Sequence, residues 1–357
     1  MYWIWFDSVV ENVTMASAKK NIVILATGGT IAGAGEQGKD IGYKSGSIEA
    51  QTLIDAVPEL KDVANIFVEQ VCNINSDDIT SEIWISLALQ IKEFSEKGFG
   101  DLHESVDGFV IMHGTDTMEE TAFFLSLTLG AWAKVVGRDV ADSMSAKPVI
   151  LTGSMRPATA AEPDGPANLL FAVKCAVEQS LQRPERAEVS RECPVYVAFA
   201  GKLMEARTVQ KIHANDLDAF AEVGAARTPF RDYHLARAFD ISALHSLPKV
   251  SVLYFNADAD ADLVRFAAER SAGLVIAGAG AGEFSQSWAA AITEVVAKKF
   301  PVVISTRINR GCIVPEQLLV PGSIAAYSLP PAKAAVLLRL ALTVTNDSAE
   351  IQKIFNE

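Results

Sequence analysis

The chain has few cysteines, no excess of basic residues and no long apolar run, and each shortage excludes a class of protein. Its four cysteines, Cys72, Cys175, Cys193 and Cys312, lie far apart, with no C-x-x-C pair and no histidine cluster beside them. That spacing excludes a disulfide framework and leaves room for one disulfide at most. Cys72 and Cys175 sit in apolar runs and are expected to be small core residues. Lysine and arginine total 31 against 44 acids, a net charge of −13. Binding phosphates needs a basic face, so a nucleic-acid partner is not expected. The longest apolar runs fall well short of the roughly 20 residues of a membrane span, so no membrane partner is expected either. The opening Met1–Asp7 is hydrophobic but lacks a positive leading segment, and Asp7 and Glu11 follow it. It therefore reads poorly as a signal peptide, and the expected compartment is the cytoplasm, or the periplasm if the true start differs.

What is present is a large hydrophobic fraction, 50% of 357 residues. That length exceeds the size at which one core stops growing, so two domains are expected. Residues 1–20 read as a disordered extension, 21–216 as an N-terminal α/β domain, 217–247 as a linker and 248–357 as a smaller C-terminal α/β domain. Short apolar, β-branched runs at Ile22–Ala26, Ala64–Ile74, Gly108–Met112, Pro148–Leu151 and Val195–Phe199 read as buried strands. Helical patterns follow them, over about Ile48–Val57, then from the Asn75–Asp78 cluster through Ile83, Leu87, Ile91 and Phe94, then Met118–Leu129 and Gly165–Glu178. Such alternation predicts a doubly wound, mostly parallel sheet covered on both faces. Lys202–Ala214 is a hydrophilic stretch. In the second domain, strands are expected near Pro248–Tyr254, Leu274–Ala277 and Val302–Ser305, with a last helix over Ala332–Thr345.

Four strand ends in the first domain carry hydroxyl or acidic residues: Thr27–Thr30, Ser76–Asp77, Thr115–Asp116 and Ser154. In a parallel sheet these tips share one edge, where α/β proteins bind ligands. Glycines such as Gly28 and Gly29 let the backbone approach a ligand closely. A threonine at such a tip is a candidate nucleophile, but its hydroxyl needs a neighbouring base. Two residues offer one: His113, at a strand tip, and Lys211, which follows a strand and could point back to the crevice. Nucleotide binding is disfavoured, because neither G-x-G-x-x-G nor a Walker lysine frame is present. Gly278–Gly282 follows a strand without a suitably spaced ribose-binding acid and reads as a close-approach loop.

Two of these motifs are familiar together. Ala26-Thr27-Gly28-Gly29-Thr30-Ile31-Ala32-Gly33 and His113-Gly114-Thr115-Asp116-Thr117-Met118-Glu119-Glu120-Thr121-Ala122 resemble the bacterial-type L-asparaginase and glutaminase-asparaginase family, type II-like. The resemblance runs from about Asn21 to Phe355 and includes Gly153–Pro157, Asp164-Gly165-Pro166 with Asn168-Leu169, and Ala335–Leu342. It implies hydrolysis of the side-chain amide of asparagine, and variably of glutamine, through an acyl-enzyme, with no metal or organic cofactor. Thr30 matches the nucleophile, and Tyr43, in the glycine-rich loop after it, the lid tyrosine. Thr115, Asp116 and Lys211 match a second triad, which makes Lys211 the expected base and leaves His113 a structural role. Ser76 matches the residue that binds the substrate α-carboxylate, and Asp116 also contacts the α-amino group. The backbone near Ser154 and Thr115 matches the region around the amide, and Gly29 belongs with the substrate-binding residues. Amide donors at the glycine-rich tips would stabilise the oxyanion, each worth about 3–4 kcal/mol.

The resemblance also implies a homotetramer in which a partner's second domain completes each site. Three positions depart from the family pattern. Asp77 stands where relatives carry glutamine or glutamate, Glu283 where a partner's asparagine or serine is usual, and Glu316 corresponds to a second acidic contributor from the partner. Asp77 and Glu283 are expected to add negative charge near the substrate ammonium. A catalytically silent amino-acid-binding protein on the same fold is the alternative of another class. A glutaminase-asparaginase with comparable rates on both amides is the alternative within the family.

Overall fold

The five apolar runs of the first half lie side by side in one parallel sheet. They are β1 (Asn21–Gly28), β2 (Asn65–Ile74), β3 (Gly108–Met112), β4 (Val149–Thr152) and β5 (Val195–Phe199). Their order is β2-β1-β3-β4-β5, and β6 (Lys202–Glu205) adds an antiparallel edge. The computed structural model describes residues 18–39, 42, 44–101, 103–135, 147–181, 195–223 and 239–356. Residues 1–17 of the expected extension, the lid residue Tyr43, Cys193 and residues 224–238 of the expected linker lie outside them.

Both faces of the central strands β1, β3 and β4 are buried, as hydrophobic strands inside a parallel sheet require. Alternate residues of β1 serve different cores. Ile22, Ile24 and Ala26 pack with residues of α1 (Ala50–Asp55), α2 (Leu60–Val63) and α5 (Gly165–Leu181). Val23 and Leu25 pack with residues of α3 (Ser81–Lys97) and α4 (Met118–Val135). On that second face Trp84 stacks on Phe124 at 5.3 Å.

A second parallel sheet, ordered β12-β11-β10-β9, is built from β9 (Val250–Tyr254), β10 (Gly273–Gly278), β11 (Val302–Thr306) and β12 (Ile324–Ala325). One face packs with residues of α6 (Asp262–Ala268) and α7 (Gln286–Val296). The other face, through Val250, Val275 and Val303, joins the core of the first domain, together with α8 (Pro331–Ala341). The domains therefore share one continuous hydrophobic cluster in which α8 lies beside α4.

Five expectations need correction. The polar cluster after β2 forms a separate 3-10 turn, Ser76–Asp78, and α3 begins only at Ser81, after the extended Thr80. The hydrophilic stretch from Lys202 contains β6 and also β7 (Val209–Lys211). The start of the expected linker belongs to the first domain: Phe220–Glu222 forms β8, which pairs antiparallel with β7, and Phe220 is buried. Short edge strands carry alternating or polar residues, so composition alone reads as loop. The last helix is α9 (Ser348–Asn356), and the helix expected over Ala332–Thr345 ends at Ala341. Cys175 is buried as expected, but Cys72 is only half-buried; Cys72, Cys175 and Cys312 are free thiols. No helix among the described residues is long and apolar enough to cross a membrane.

The short edge strand β12 is closed by a side chain. Gln352 of α9 accepts from the Ala325 amide at 2.7 Å and donates back to the Ala325 carbonyl at 3.3 Å, as a neighbouring strand would. Ala325 is fully buried, so losing both bonds leaves its backbone unsatisfied. Gln352→Ala should lower unfolding stability by about 1–3 kcal/mol in denaturant titration, and an unchanged midpoint would remove this role.

Candidate active site

The tips converge because the backbone allows it at two glycines. Gly28 and Gly29 have φ of 108° and 80°, in the region side chains avoid. A Cβ on Gly28 would stand 2.4 Å from the Ile74 carbonyl oxygen, and one on Gly29 would stand 2.4 Å from the Gly114 nitrogen. The end of β1 is thereby pressed between the ends of β2 and β3. The Gly29 amide donates to Ile74 O at 2.9 Å. Thr30 then opens a 3-10 turn, Thr30–Ala32, and is almost fully buried.

Ser76 and Thr115 arrive from the two flanking strands. Ser76 is 2% exposed, and its hydroxyl has no hydrogen-bond partner. Its carbonyl oxygen accepts from Thr117 Oγ1 at 2.8 Å, which ties the two tips together. Asp77, the next residue, is exposed and accepts from Asn75 Nδ2 at 2.8 Å. Thr115 is buried, while Asp116 is half exposed.

Lys211 reaches this group from β7. Its Nζ donates to Thr115 Oγ1 at 2.9 Å and to Asp116 Oδ1 at 2.5 Å. The strand is fixed by Glu119, whose Oε2 accepts the Lys211 backbone N–H at 2.7 Å. Glu119 lies in the first turn of α4, directly after the Thr115 loop. Burial pushes its carboxyl up, against the opposing charges of Lys333 and Lys211.

Ser154 is fully buried, and its hydroxyl donates to Arg156 O at 2.7 Å. Its loop is shaped by Asp164, which accepts the amides of Met155 and Arg156, both at 2.9 Å. Asn168 donates to Gly153 O at 3.0 Å and accepts from the Ala200 amide at 3.1 Å, so it joins the ends of β4 and β5. Glu119, Asp164 and Asn168 all stand in the quoted motifs, but the sequence reading gave them no role.

His113 is enclosed and fully satisfied as a neutral ring. Its Nδ1 donates to Gly114 O at 2.7 Å. Its Nε2 then accepts from Thr121 Oγ1 at 2.9 Å, and Thr121 in turn accepts from Trp84 Nε1 at 2.8 Å. Protonation would make Nε2 a donor and force the Thr121 hydroxyl to turn its proton away, and burial pulls the ring down to about 4. It is a brace for the β3 tip.

Glu283 and Glu316 stay apart from this cluster. Glu283 is exposed at the turn after β10, where its amide donates to Ala279 O at 2.7 Å. Glu316 is exposed in the 3-10 turn Pro315–Gln317. Among the described residues, no group of three or more His, Cys, Asp or Glu side chains could hold a metal ion.

The glycine-pressed threonine turn and the lysine bridged to the next tip can be set beside known proteins. Residues 21–229 match the family model of the asparaginase N-terminal domain, and residues 249–355 that of the glutaminase/asparaginase C-terminal domain. The chain belongs to the asparaginase family. It is 37% identical over 360 residues to L-asparaginase 2 of Escherichia coli (strain K12), covering 96% of this chain and 94% of that protein. It is 33% identical over 355 residues to the glutaminase-asparaginase of Pseudomonas fluorescens biotype A, covering 94% of this chain and 90% of the relative. A crystal structure of a probable cytoplasmic L-asparaginase from Campylobacter jejuni superposes with a TM-score of 0.78 at 38% identity, over 94% of this chain and 99% of that one. Within this asparaginase-family fold the two matched segments correspond to the two sheets, and every described site residue of the first domain falls in the N-terminal segment.

The state of His113 has a measurable consequence. An unfolded chain takes up this proton below about pH 6.5, whereas the folded ring resists until about 4. Stability is therefore lost as pH falls through that window, by about 3 kcal/mol for a shift of this size. Glu120, which burial pushes up to about 7, acts in the opposite direction, so the comparison is between variants. His113→Gln should lose less stability than the parent between pH 6.5 and 4 in urea titrations. Parallel pH curves would show that His113 is not held neutral.

Proposed function

We propose that this chain hydrolyses the side-chain amide of L-asparagine to L-aspartate and ammonia, with Thr30 as nucleophile. The observation that carries the reading is the Lys211 ammonium between Thr115 Oγ1 at 2.9 Å and Asp116 Oδ1 at 2.5 Å, on the strand edge that also presents Thr30. In the first half-reaction Thr30 Oγ attacks the amide carbon and the C–N bond breaks. The hydroxyl proton passes to the leaving nitrogen, which departs as ammonia. In the second, water cleaves the resulting ester, its hydroxide joining the acyl carbon and its proton returning to Thr30. The Thr115–Lys211–Asp116 relay supplies the proton-transfer groups that a threonine needs near neutral pH.

The amino-acid end of the substrate finds complementary groups on the same edge. Ser76 Oγ, buried and without a partner, is free to donate to the α-carboxylate. Asp116 and the exposed Asp77 place negative charge where the α-ammonium would lie. The backbone at Gly29, Thr115 and Ser154 surrounds the reacting amide, and Tyr43 closes the site as a lid. The absence of a required metal or organic cofactor is part of the proposal, as is a cytoplasmic compartment, the one named for the Campylobacter jejuni structure. So is assembly as a homotetramer, with Glu283 and Glu316 of one copy completing the site of another. An active monomer in light scattering coupled to assay would end the shared-site part.

Activity on L-glutamine is the second reading, favoured by the 33% identity to a protein named glutaminase-asparaginase. The decisive experiment measures ammonia release from L-asparagine and L-glutamine in parallel, with Thr30→Ala as control. Release from asparagine is expected to fall by about 10⁴-fold or more in the variant, the scale of loss of a catalytic nucleophile. Comparable rates on both amides would establish the second reading with the same mechanism. No release from either amide by folded, tetrameric protein would leave an amino-acid-binding protein. In the same assay Asp77→Asn should raise KM for asparagine several-fold, about the effect of one charge-assisted contact. An unchanged KM would show that Asp77 does not reach the ammonium.

A further inference from the structure

A second lysine, unused in the chemistry above, lies behind Lys211. Lys333, on α8 of the second domain, is fully buried. Its Nζ donates to three carbonyl oxygens of the first domain: Ala206 at 2.8 Å, Arg207 at 2.9 Å and Val209 at 2.5 Å. These carbonyls belong to the turn between β6 and β7 and to the first residue of β7, whose last residue is Lys211. The Phe123 ring lies 5.7 Å from the same nitrogen. Glu119 and Glu120 of α4 favour the ammonium electrostatically, while Arg207 opposes it.

The strand that carries Lys211 is thus held at both ends by charged groups. Lys333 grips its start from the second domain. Glu119 grips its end, accepting the Lys211 amide at 2.7 Å. Burying a cation is costly, and here burial pulls the ammonium down to about 7. A methionine would fill a similar volume without that cost. What the ammonium adds is three donors converging on three carbonyls within the four residues 206–209, which fixes where β7 starts.

We propose that Lys333 is a positioning residue, which gathers the carbonyls of Ala206, Arg207 and Val209 so that β7 delivers Lys211 Nζ between Thr115 and Asp116. This rests on the reading of Lys211 as part of the catalytic relay. Through it the second domain of the same chain contributes to the chemistry without touching substrate.

The test compares Lys333→Met and the single variant Glu119→Gln with the double variant Glu119→Gln/Lys333→Met, in which glutamine keeps an acceptor for the Lys211 amide and the Glu119 charge that Lys333 balances is gone. For each, kcat and KM on L-asparagine are measured, with L-aspartate binding by calorimetry and secondary structure by circular dichroism. In the double variant kcat should fall about a hundredfold below that of Glu119→Gln, as a misplacement of about 1 Å can cost. KM and aspartate affinity should stay within about threefold, the split expected when bound substrate meets a misplaced group. A kcat in the double variant equal to that of Glu119→Gln would overturn the proposal, because charge neutralisation would then be the only role of Lys333. Loss of aspartate binding in parallel with kcat would overturn it too, since that is general collapse of the site. If Lys333→Met alone fails to fold, the double variant decides. Lys211→Met is run beside them: if it keeps wild-type kcat, the relay reading fails first and takes this proposal with it. If it is inactive while the double variant is not, only the positioning role falls.

Discussion

The whole site depends on one close approach of backbone to backbone, where Gly29 meets Gly114. With a Cβ on Gly29 only 2.4 Å from the Gly114 nitrogen, no other residue fits without moving β1 away from β3. Gly114 is equally constrained, since a Cβ there would stand 2.6 Å from Ser76 Oγ. Three tips are therefore locked in contact through two positions that have no side chain. The parallel register of β1 with β2 and β3 brings the strands to this point, and the glycines let them meet. Thr30, Ser76 and Thr115 follow directly from these contacts, so their convergence is a property of backbone packing before it is one of side-chain chemistry.

Lys211 obeys a different logic. It does not stand at the end of a strand in the main sheet but on the small β7–β8 ribbon, a two-stranded element that is marginal alone. Something outside the ribbon has to hold it. Phe220 of β8 packs on Phe199 of β5 with ring centroids 4.9 Å apart, which anchors the apolar side. Glu119 and Lys333 anchor the backbone. Because Lys333 belongs to α8, which shares its core with α4, the placement of Lys211 depends on how the two domains dock.

The large sheet was legible because its central strands are buried on both faces, so Ile22–Ala26 and Gly108–Met112 are apolar without interruption. The tips were legible because glycine and hydroxyl residues interrupt those runs at the same place. The ribbon was not. Val209–Lys211 and Phe220–Glu222 are three residues each, mix apolar with charged side chains, and show no period long enough to read. For the same reason Lys211 was one of two open candidates from spacing and rose only through the family resemblance. Lys333 was hidden differently: a lysine in a helix of alanines and leucines reads as a solvent-facing residue, and only the three-dimensional docking of the domains shows its ammonium enclosed. The Ser76–Asp78 turn is hidden in the sequence because acids ahead of an apolar stripe look like a helix start even when a separate turn intervenes.

The hydroxyls along the site edge divide by how their hydrogen bonds are used. Thr27 donates to Met112 O at 3.0 Å, Thr152 to Ala198 O at 2.8 Å and Ser154 to Arg156 O at 2.7 Å. Thr117 donates to Ser76 O. In each the proton is committed to a backbone carbonyl, and the group joins one strand end to another or closes a turn. Ser76 Oγ has no such partner although it is buried, and an unsatisfied buried hydroxyl costs about 1–3 kcal/mol. A structural serine would be expected to turn toward a carbonyl, as Ser154 does. An alanine would avoid the cost altogether and lose nothing in packing. A polar group between the tips would offset that cost, as the proposed α-carboxylate contact does. Of these five hydroxyls, only that of Ser76 takes no part in joining the strand ends.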